Sequence, residues 1–295
     1  MSIQKWLEKN TRSLYGKTVA VTGSTGGIGK ELCRHLASLG ADLILVDRNE
    51  TRSRAFAEEL LSRFPRIRVK TVCADLSDVS SVKKASEMLL CQPIDVFIHN
   101  AGAYSIPRYT TSVGYDNVYT INFISPYYMI RTLLPMLEGR RGKVVVVGSI
   151  AHRYSKTDPT DLDFSERKKA SLVYGNAKRY LMFSLYPLFE GSHATLAVTH
   201  PGISFTGITA HYPKAIFALI KYPMKLIFMK PRRASLSVLR GVFDQTESGT
   251  WIGPRVLDVW GKPKKKQLRG VEEKERARIA AAADMIYYNI KNKEI

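Results

Sequence analysis

The sequence predicts a single α/β domain built on a doubly wound parallel sheet. Two patterns predict this fold. Short runs rich in β-branched residues alternate with longer segments of helical periodicity, and the runs are continuously apolar, which is typical of parallel strands covered on both faces. A chain of 295 residues without an internal repeat or a Gly/Ser-rich linker can bury such a core without a metal or a crosslink.

The alternation is regular to about residue 205 and predicts right-handed βαβ units. The predicted strands are Thr18–Thr22, Leu43–Val46, Val69–Cys73, Val96–Ile98, Lys143–Val147 and Thr195–Thr199. The predicted helices are Lys30–Leu39, Thr51–Phe64, Val79–Leu90, Val113–Leu134 and Leu172–Phe189. Beyond these the alternation breaks down, and we expect the more basic remainder to close over the edge of the sheet.

A glycine-rich turn, TGSTGGIG at residues 22–29, follows the first predicted strand directly and opens the first long helix. Backbone N–H groups and the positive end of the helix dipole at such a turn can hold a pyrophosphate. The spacing is neither GxGxxG nor a Walker A loop, but its place between strand and helix favours a dinucleotide over a bare tight turn. The sequence therefore predicts a Rossmann fold, with cofactor contacts at Gly23, Ser24, Thr25, Gly27, Ile28 and Gly29.

The second predicted strand runs into Asp47, which lies 18 residues after Gly29. A carboxylate here can accept both ribose hydroxyls of an adenosine and repels a 2′-phosphate, which favours NAD(H). The neighbouring Arg48 can instead pair with that phosphate, or cover the adenine from the surface. The sequence thus favours NAD(H), with NADP(H) as the alternative.

Further motifs follow in order along the chain. They are Asp75 in CADLSD, HNAG at 99–102, Asn122 in INFISP, Ser149 after a VVVVG run, Tyr174 and Lys178 in YGNAK, and Pro201-Gly202 followed by Thr206. With the glycine-rich turn, these motifs resemble the short-chain dehydrogenase/reductase family over residues 15–250. The sequences GIGKE and GSIAHR and the long spacing from Ser149 to Tyr174 are most similar to the retinol-dehydrogenase-like members.

The resemblance implies an NAD(P)-dependent oxidoreductase that interconverts an alcohol and a ketone or aldehyde. Tyr174 would exchange the proton, Ser149 would hold the substrate oxygen, and Lys178 would bind the nicotinamide ribose. The backbone carbonyl of Asn122 would hold a water that connects to Lys178. The implied cofactor contacts are Asp75, Leu76, Asn100, Ala101, Gly102, Tyr174, Lys178, Pro201, Gly202 and Thr206. His99, where the family more often has asparagine, is expected to pack near the cofactor.

The chemistry of these residues agrees with such roles. Tyr174 and Lys178 are four residues apart, so they share one helix face. A tyrosine pKa of ~10 is too high for a base near neutrality, and a nearby ammonium lowers it. The alternatives are structural: a surface Tyr/Lys pair, a helix-capping Ser149, and a packed, hydrogen-bonded amide at Asn122.

The net charge of +19 favours contact with polyanions. A nucleotide-fold binding or regulatory protein that uses its basic surface is therefore the alternative function. A binding module needs none of Ser149, Tyr174 and Lys178, so a nucleic-acid partner is disfavoured. The three cysteines show no metal-ligand spacing, so no metal site is expected. Without an apolar leader or a long apolar run, the expected compartment is the cytoplasm, with surface contact to a membrane as an option.

Two segments are candidates for substrate recognition. The polar stretch between Ser149 and Tyr174 predicts a surface loop, in which His152, Arg153 and Tyr154 either contact substrate or are solvated. Residues 191–243 contain no acidic residue. The resemblance places a substrate lid at about 204–240 within the single Rossmann domain of residues 1–295.

Within the lid region, Lys214, Lys221 and Lys225 share one face of an otherwise apolar helical pattern. This favours a lid over an apolar carbonyl or alcohol substrate, with an amphipathic membrane contact as the alternative. The remaining residues, about 262–295, predict a basic C-terminal extension, in which KPKKK is a solvated turn before a helix. A homo-oligomer is compatible with the sequence.

Overall fold

The computed structural model of this chain describes residues 2–202 and 229–292. Most of the predicted lid lies outside the described residues. The same holds for the site residue Thr206 and for Lys214, Lys221 and Lys225. The last part of the predicted lid, residues 231–240, belongs to a helix that packs into the core.

One sheet runs through the described part of the chain, with its eight strands in the order β3-β2-β1-β4-β5-β6-β7-β8. The strands are β1 Thr18–Thr22, β2 Asp42–Asp47, β3 Val69–Cys73, β4 Val96–His99, β5 Lys143–Val147, β6 Thr195–Thr199, β7 Thr250–Val256 and β8 Trp260–Gln267. Strands β1–β7 pair in parallel, whereas β8 pairs antiparallel with β7. The doubly wound parallel α/β fold and the first six strands are confirmed. The hairpin β7–β8 was not predicted.

Helices cover both faces of this sheet. They are α1 Ile3–Asn10, α2 Gly27–Ser38, α3 Glu50–Arg63, α4 Val79–Leu90, α5 Asn117–Tyr119, α6 Ser125–Gly139, α7 Ala170–Leu188, α8 Pro231–Phe243 and α9 Glu273–Asn292. A π-helical turn, Thr120–Ile124, joins α5 to α6, and a short 3₁₀ turn, Ile150–Arg153, follows β5.

The predicted helix 113–134 is wrong at both ends. Its start moves to Asn117 because the side chain of Asp116 caps that helix, accepting the N–H of Val118 at 2.9 Å. The preceding residues instead form a turn closed by a bridge between Thr110 and Asp116. Acceptance of the first free N–H groups by an aspartate is a strong start signal.

The continuous apolar runs are explained by the two helical layers. Val144 and Val146 of β5 point to the layer of α4, α6, α7 and α9, whereas Val145 and Val147 point to the layer of α1, α2, α3 and α8. Because successive side chains of a strand point to opposite faces, burial on both sides removes the polar half of the alternation.

The C-terminal segments are part of this architecture. Ile279, Ala283, Ile286 and Ile290 of α9 are buried in the core, three or four residues apart along one helix face. The basic run at 262–266, predicted as a solvated turn, instead lies in β8 and pairs with β7. Backbone pairing to β7, which the charges do not reveal, makes this segment a strand.

Candidate active site

A cleft of about 380 Å³ opens at the carboxyl ends of the central strands. It lies where the chain reverses from the β1–β2 side to the β4 side of the sheet, a position at which parallel α/β proteins bind ligands. Predicted cofactor residues that line it are Gly23, Thr25, Gly27, Ile28, Gly29, Asp47, Arg48, Asp75, Leu76, Asn100, Ala101 and Gly102. The structure therefore brings most of the predicted cofactor residues to one place.

The glycine-rich turn folds tightly against itself. Gly23 has a φ of +66°, and a Cβ at Gly29 would overlap the carbonyl oxygen of Gly23. No side chain caps the N-terminus of α2, which begins just after Gly26. Its first N–H groups therefore face the cleft without a side-chain acceptor at the cap, and this cradle of backbone fits a pyrophosphate.

Asn100 fixes this turn from the neighbouring strand. Its Nδ2 donates to the carbonyl oxygens of Thr22, at 3.1 Å, and Gly23, at 3.0 Å. The Thr22 hydroxyl accepts the N–H groups of Asn100 and Ala101, each at 3.1 Å. His99 is fully buried beneath, with its Nδ1 3.0 Å from the same hydroxyl. Burial, followed by the charge of Lys178, lowers the pKa of His99 well below its usual value, so this ring is neutral.

The carboxylate of Asp47 accepts hydrogen bonds from neighbouring residues of the chain. Its carboxylate is 4% exposed. It accepts the N–H of Thr25 at 3.0 Å and the hydroxyls of Thr25 at 2.9 Å, Ser53 at 3.1 Å and Ser24. Ser24 is consequently buried on the side of Asp47, whereas the exposed Arg48 lines the mouth of the cleft together with Arg52.

The four predicted catalytic residues meet at one end of this cleft. Ser149 follows β5, where its Oγ accepts the N–H of Ala151 at 3.2 Å. Its side chain lies near enough to the phenol of Tyr174 from α7 to lower the pKa of that phenol. The Nζ of Lys178, one turn further along α7, donates to the carbonyl oxygen of Val147 at 3.0 Å and lies 5.8 Å from the centre of the Tyr174 ring.

Asn122 reaches the same point from the π-helical turn. Its Oδ1 accepts the N–H of Ala103 at 3.2 Å, and its Nδ2 donates to the carbonyl oxygen of Ala103 at 2.8 Å. A Cβ at Gly102 would lie 2.8 Å from Asn122 Oδ1 and 3.6 Å from Lys178 Nζ. Gly102 also lines the cleft, so the catalytic candidates adjoin the cofactor candidates.

Burial controls the protonation of the central pair. It raises the pKa of Tyr174 to about 12, although the nearby Ser149 side chain acts to lower that pKa. It lowers the pKa of Lys178 to about 7. The sequence led us to expect a lowered pKa for Tyr174, but the structure gives a raised one, because desolvation by burial is the largest effect on this phenol. Tyr174 therefore carries its proton at neutral pH.

We expect that cofactor-free protein shows no ionisation of Tyr174 between about pH 7 and about pH 9. The measurement is the difference in tyrosinate absorbance between the wild type and Tyr174→Phe. This difference should stay at zero across that range, because a phenol with a raised pKa ionises only at higher pH. An absorbance difference that titrates near neutral pH would contradict the raised pKa of Tyr174. It would instead support a pKa lowered by Lys178.

Aromatic residues that the motifs do not include complete the site. The ring of Tyr104 meets that of Tyr174 edge-on, with the ring centres 5.3 Å apart. Tyr154 is half exposed, and its electrostatic interaction with Tyr174 places it in the same neighbourhood. Tyr104 stands two residues after the HNAG motif, which is the sequence signal that would have pointed to it.

The sequence predicted that His152 lies in a surface loop, and the structure shows that this prediction is wrong. It is fully buried, its Nδ1 donates to the carbonyl oxygen of Ser149 at 2.6 Å, and its ring packs edge-on against Trp251. The next residue, Arg153, forms an ion pair with Asp258 at 3.2 Å. This turn thus supports Ser149 from behind.

Pro201 and Gly202 lie where β6 ends, next to the hairpin β7–β8. Gly202 has a φ of +81°, and a Cβ there would lie 2.6 Å from the carbonyl oxygen of Val259. Neither residue lines the cleft described above. Within residues 2–202 and 229–292, His, Cys, Asp and Glu side chains form no group suited to hold a metal ion.

The sequence of this chain is similar to those of known dehydrogenases and reductases. The family model described as short chain dehydrogenase matches residues 17–158. Mouse retinol dehydrogenase 12 is 30% identical over 200 residues, which are 66% of this chain and 63% of that protein. Human polyprenol dehydrogenase is 27% identical over 207 residues, with the same two shares. Bovine dehydrogenase/reductase SDR family member 13 is 32% identical over 229 residues, or 75% of this chain and 60% of that protein. The chain therefore spans about three fifths of the length of these relatives.

Solved structures resemble the whole fold. The Pseudomonas aeruginosa RhlG/NADP active-site complex has a TM-score of 0.60 and 25% identity, and the match covers 79% of this chain and 91% of that one. An uncharacterised protein from Mycobacterium paratuberculosis has a TM-score of 0.70 and 24% identity, with 96% of each chain covered. The latter similarity supports the architecture alone.

Proposed function

Because this chain belongs to the short-chain dehydrogenase/reductase family, we propose that it is an NAD(P)-dependent oxidoreductase that interconverts an alcohol and a ketone or aldehyde. One observation carries the proposal: Ser149, Tyr174, Lys178 and Asn122 meet beside a cleft whose glycine turn fits a dinucleotide. A protein that only binds polyanions needs no such arrangement, so the alternative function is not favoured.

The bound nicotinamide would supply or accept the hydride, and this chain's residues would handle the proton and the substrate oxygen. Tyr174, protonated at neutral pH, donates its proton to the oxygen of a carbonyl substrate and takes it back in alcohol oxidation. Ser149, which lies near that phenol, donates a second hydrogen bond to the same oxygen. Lys178 and the Asn122 amide fix the floor of the site around Gly102.

The proposed substrate is a small apolar alcohol or carbonyl compound. The ring of Tyr104 packs edge-on against Tyr174, and Tyr154 lies in the same neighbourhood. These aromatic rings favour an apolar molecule over a charged one. Two of the relatives bear the names of retinol and polyprenol dehydrogenases. Both names denote alcohols that are largely hydrocarbon.

The test is a titration of the protein with NADH and NADPH, followed by a panel of apolar ketones, aldehydes and alcohols. The proposal expects saturable cofactor binding and turnover of at least one compound. Cofactor binding without turnover of any compound would favour the binding-protein alternative. Failure to bind either cofactor would contradict the proposed oxidoreductase activity.

We further propose that NAD(H) is preferred. The carboxylate of Asp47 lines the cleft beside Arg48, so its charge opposes a 2′-phosphate. Four hydrogen bonds from the protein already occupy its two oxygens. Its effect on cofactor choice is therefore electrostatic repulsion more than the capture of ribose hydroxyls.

Asp47→Asn is expected to raise the affinity for NADPH at least about tenfold, with little change for NADH, because it removes the charge and keeps the shape. The asparagine oxygen can still accept the N–H of Thr25, and its amide can donate to the Ser24 and Ser53 hydroxyls, which rotate to accept. Fluorescence titration with both cofactors is the measurement.

Two further variants complete this experiment. Arg48→Ala should weaken NADPH binding selectively if that guanidinium meets the 2′-phosphate. Arg54→Ala, which loses only an exposed ion pair with Glu50 on the same helix, should change neither affinity. A wild type that strongly prefers NADPH would show that Arg48 outweighs Asp47.

A further inference from the structure

The hairpin β7–β8 presents exposed apolar side chains at its tip and a row of cations along its outer strand. From this juxtaposition of Val256, Leu257 and Trp260 with the lysines of β8, we propose that the hairpin docks on an anionic lipid bilayer. The hairpin lies outside the cleft and the catalytic residues, and no part of the proposed reaction uses its tip.

The tip has a leucine where the backbone favours another residue. The N–H of Val259 donates to the carbonyl oxygen of Val256 at 2.9 Å, which closes a four-residue turn. Its two central residues, Leu257 and Asp258, have φ angles of 48° and 60°. This left-handed geometry favours glycine, asparagine or aspartate, and a bulky side chain adopts it at a cost.

The exposure of apolar side chains to water adds a second free-energy cost at the tip. Leu257 is 84% exposed, Trp260 51% and Val256 47%. An asparagine at 257 would satisfy both the backbone and the solvent. A leucine that gains nothing from local conformation or from packing is explained if the tip enters an apolar environment.

The surroundings of the tip are strongly basic. Residues 255–267 contain five cations, Arg255, Lys262, Lys264, Lys265 and Lys266, and one acid, Asp258. That acid is already neutralised by ion pairs with Arg153 at 3.2 Å and Lys266 at 2.9 Å. The exposed cations of the hairpin thus have no acidic neighbour on it, and they are complementary to anionic headgroups.

Protection of the sheet edge explains part of this pattern. β8 is the outermost strand, and lysines on an edge strand discourage pairing with another chain. Edge protection accounts for Lys264 and Lys265 but not for an exposed leucine and tryptophan beside them. Nucleic acid would use the cations and stack on Trp260, but it offers nothing to Leu257. A bilayer matches all three features, because leucine enters the acyl region, tryptophan prefers the interface and lysines meet the headgroups.

The hairpin is connected to the catalytic residues. Asp258 pairs with Arg153 in the turn that follows Ser149, and Val259 packs on Gly202 at the end of β6. A bilayer at the tip would therefore lie close to the active site. If the proposed function holds, docking brings the site to the phase in which an apolar alcohol or ketone dissolves.

Leu257→Asn is the sharpest test, because it should separate docking from folding. The variant suits the left-handed turn, so its Tm should equal or exceed that of the wild type. Its affinity for phosphatidylcholine/phosphatidylserine vesicles, measured by co-sedimentation of the full chain, should fall about tenfold or more. Met88→Gln, at a 52% exposed position on α4, is the matched control and should bind as the wild type does.

Trp260 provides a spectroscopic readout. The other two tryptophans, Trp6 and Trp251, are buried, at 4% and 0% exposed. A blue shift of tryptophan emission on adding vesicles therefore reports Trp260 leaving water. We expect this shift in the wild type and its loss in Trp260→Phe.

The charge contribution is tested separately. Lys264→Glu/Lys265→Glu should lose binding to phosphatidylserine-containing vesicles, whereas Arg63→Glu/Arg66→Glu, a matched reversal at the end of α3, should retain it. Wild-type binding to vesicles of phosphatidylcholine alone should be weak, and salt should weaken binding to the anionic ones.

Unchanged vesicle binding by Leu257→Asn, or no blue shift in the wild type, would overturn the proposal. So would tight binding of poly(U) that Leu257→Asn leaves intact, which would assign the hairpin to nucleic acid. A wild type that dimerises through the tip, with Leu257→Asn monomeric in gel filtration, would assign it to a second copy of this chain. Vesicle binding without turnover of any substrate would refute the proposed function alone. Turnover in solution without vesicle binding would refute only the docking.

Discussion

Tyr174→Phe is expected to remove nearly all turnover and to leave cofactor affinity unchanged. The phenylalanine ring keeps the edge-on contact with Tyr104, at 5.3 Å between ring centres, and loses only the hydroxyl. That hydroxyl is the proton donor in the proposed reaction, and it lies near Ser149. Loss of a positioned general acid costs about 10²–10⁴-fold in rate, to be measured as kcat on the compound found by the substrate panel.

Tyr154→Phe is the matched control for this prediction. It removes a hydroxyl from a half-exposed tyrosine in the same neighbourhood and should keep kcat within about tenfold of the wild type. Wild-type-like turnover in purified Tyr174→Phe would disprove the assigned mechanism. Equal losses in both variants would mean that the effect belongs to the aromatic surroundings and not to proton transfer.

Arg179→Met should lower the free energy of unfolding by about 3–5 kcal/mol. Arg179 of α7 and Glu275 of α9 form a buried pair, with Nη2 to Oε2 at 2.6 Å and Nε to Oε1 at 2.8 Å. Their side chains are 9% and 4% exposed. Methionine fills the space but leaves the Glu275 carboxylate buried without its cation, which is more costly than losing the pair as a whole. Denaturant unfolding is the measurement.

Two variants isolate that charge effect. Arg179→Met/Glu275→Gln should recover much of the loss, because the amide is neutral and its oxygen still accepts the N–H of Thr157, at 2.9 Å in the wild type. Arg54→Met, which breaks an exposed pair with Glu50, should cost less than about 1 kcal/mol. A double variant as unstable as the single one would contradict the buried-charge explanation.

The same pair sets an acid limit on stability. Burial alone would raise the pKa of Glu275, but hydrogen bonds from Arg179 and Thr157 outweigh it and lower that pKa to about 2. A carboxylate with a depressed pKa stabilises the fold above its ordinary pKa, and the contribution disappears as the pH falls. The stabilising effect of Glu275 should thus be complete above about pH 4.5 and decline towards about pH 2, a decline absent from the double variant.

Features encoded over short stretches were predictable from the sequence. The six leading strands follow from β-branched apolar runs, since burial on both faces requires such residues. The turn at 22–29 is recognisable from its glycines. The fold requires glycine at position 29, because a Cβ there would overlap the carbonyl oxygen of Gly23. Tyr174 and Lys178 share a helix face by their spacing alone. The order of the strands then brings these local features to the same edge of the sheet.

The partners of each side chain were decided only by the tertiary structure. Asp47 accepts hydrogen bonds from Ser24 and Ser53, and His152 turns inward to the Ser149 carbonyl and Trp251. The basic run of β8 became a strand because β7 offers it an unpaired edge.

The pKa values of Tyr174 and Lys178 likewise follow from desolvation, which arises only when folding buries these side chains. Local propensity and residue spacing act within a few residues, so the structures that they favour can be predicted from the sequence. Burial and hydrogen-bond pairing instead depend on which distant segments come into contact, and folding alone determines those contacts.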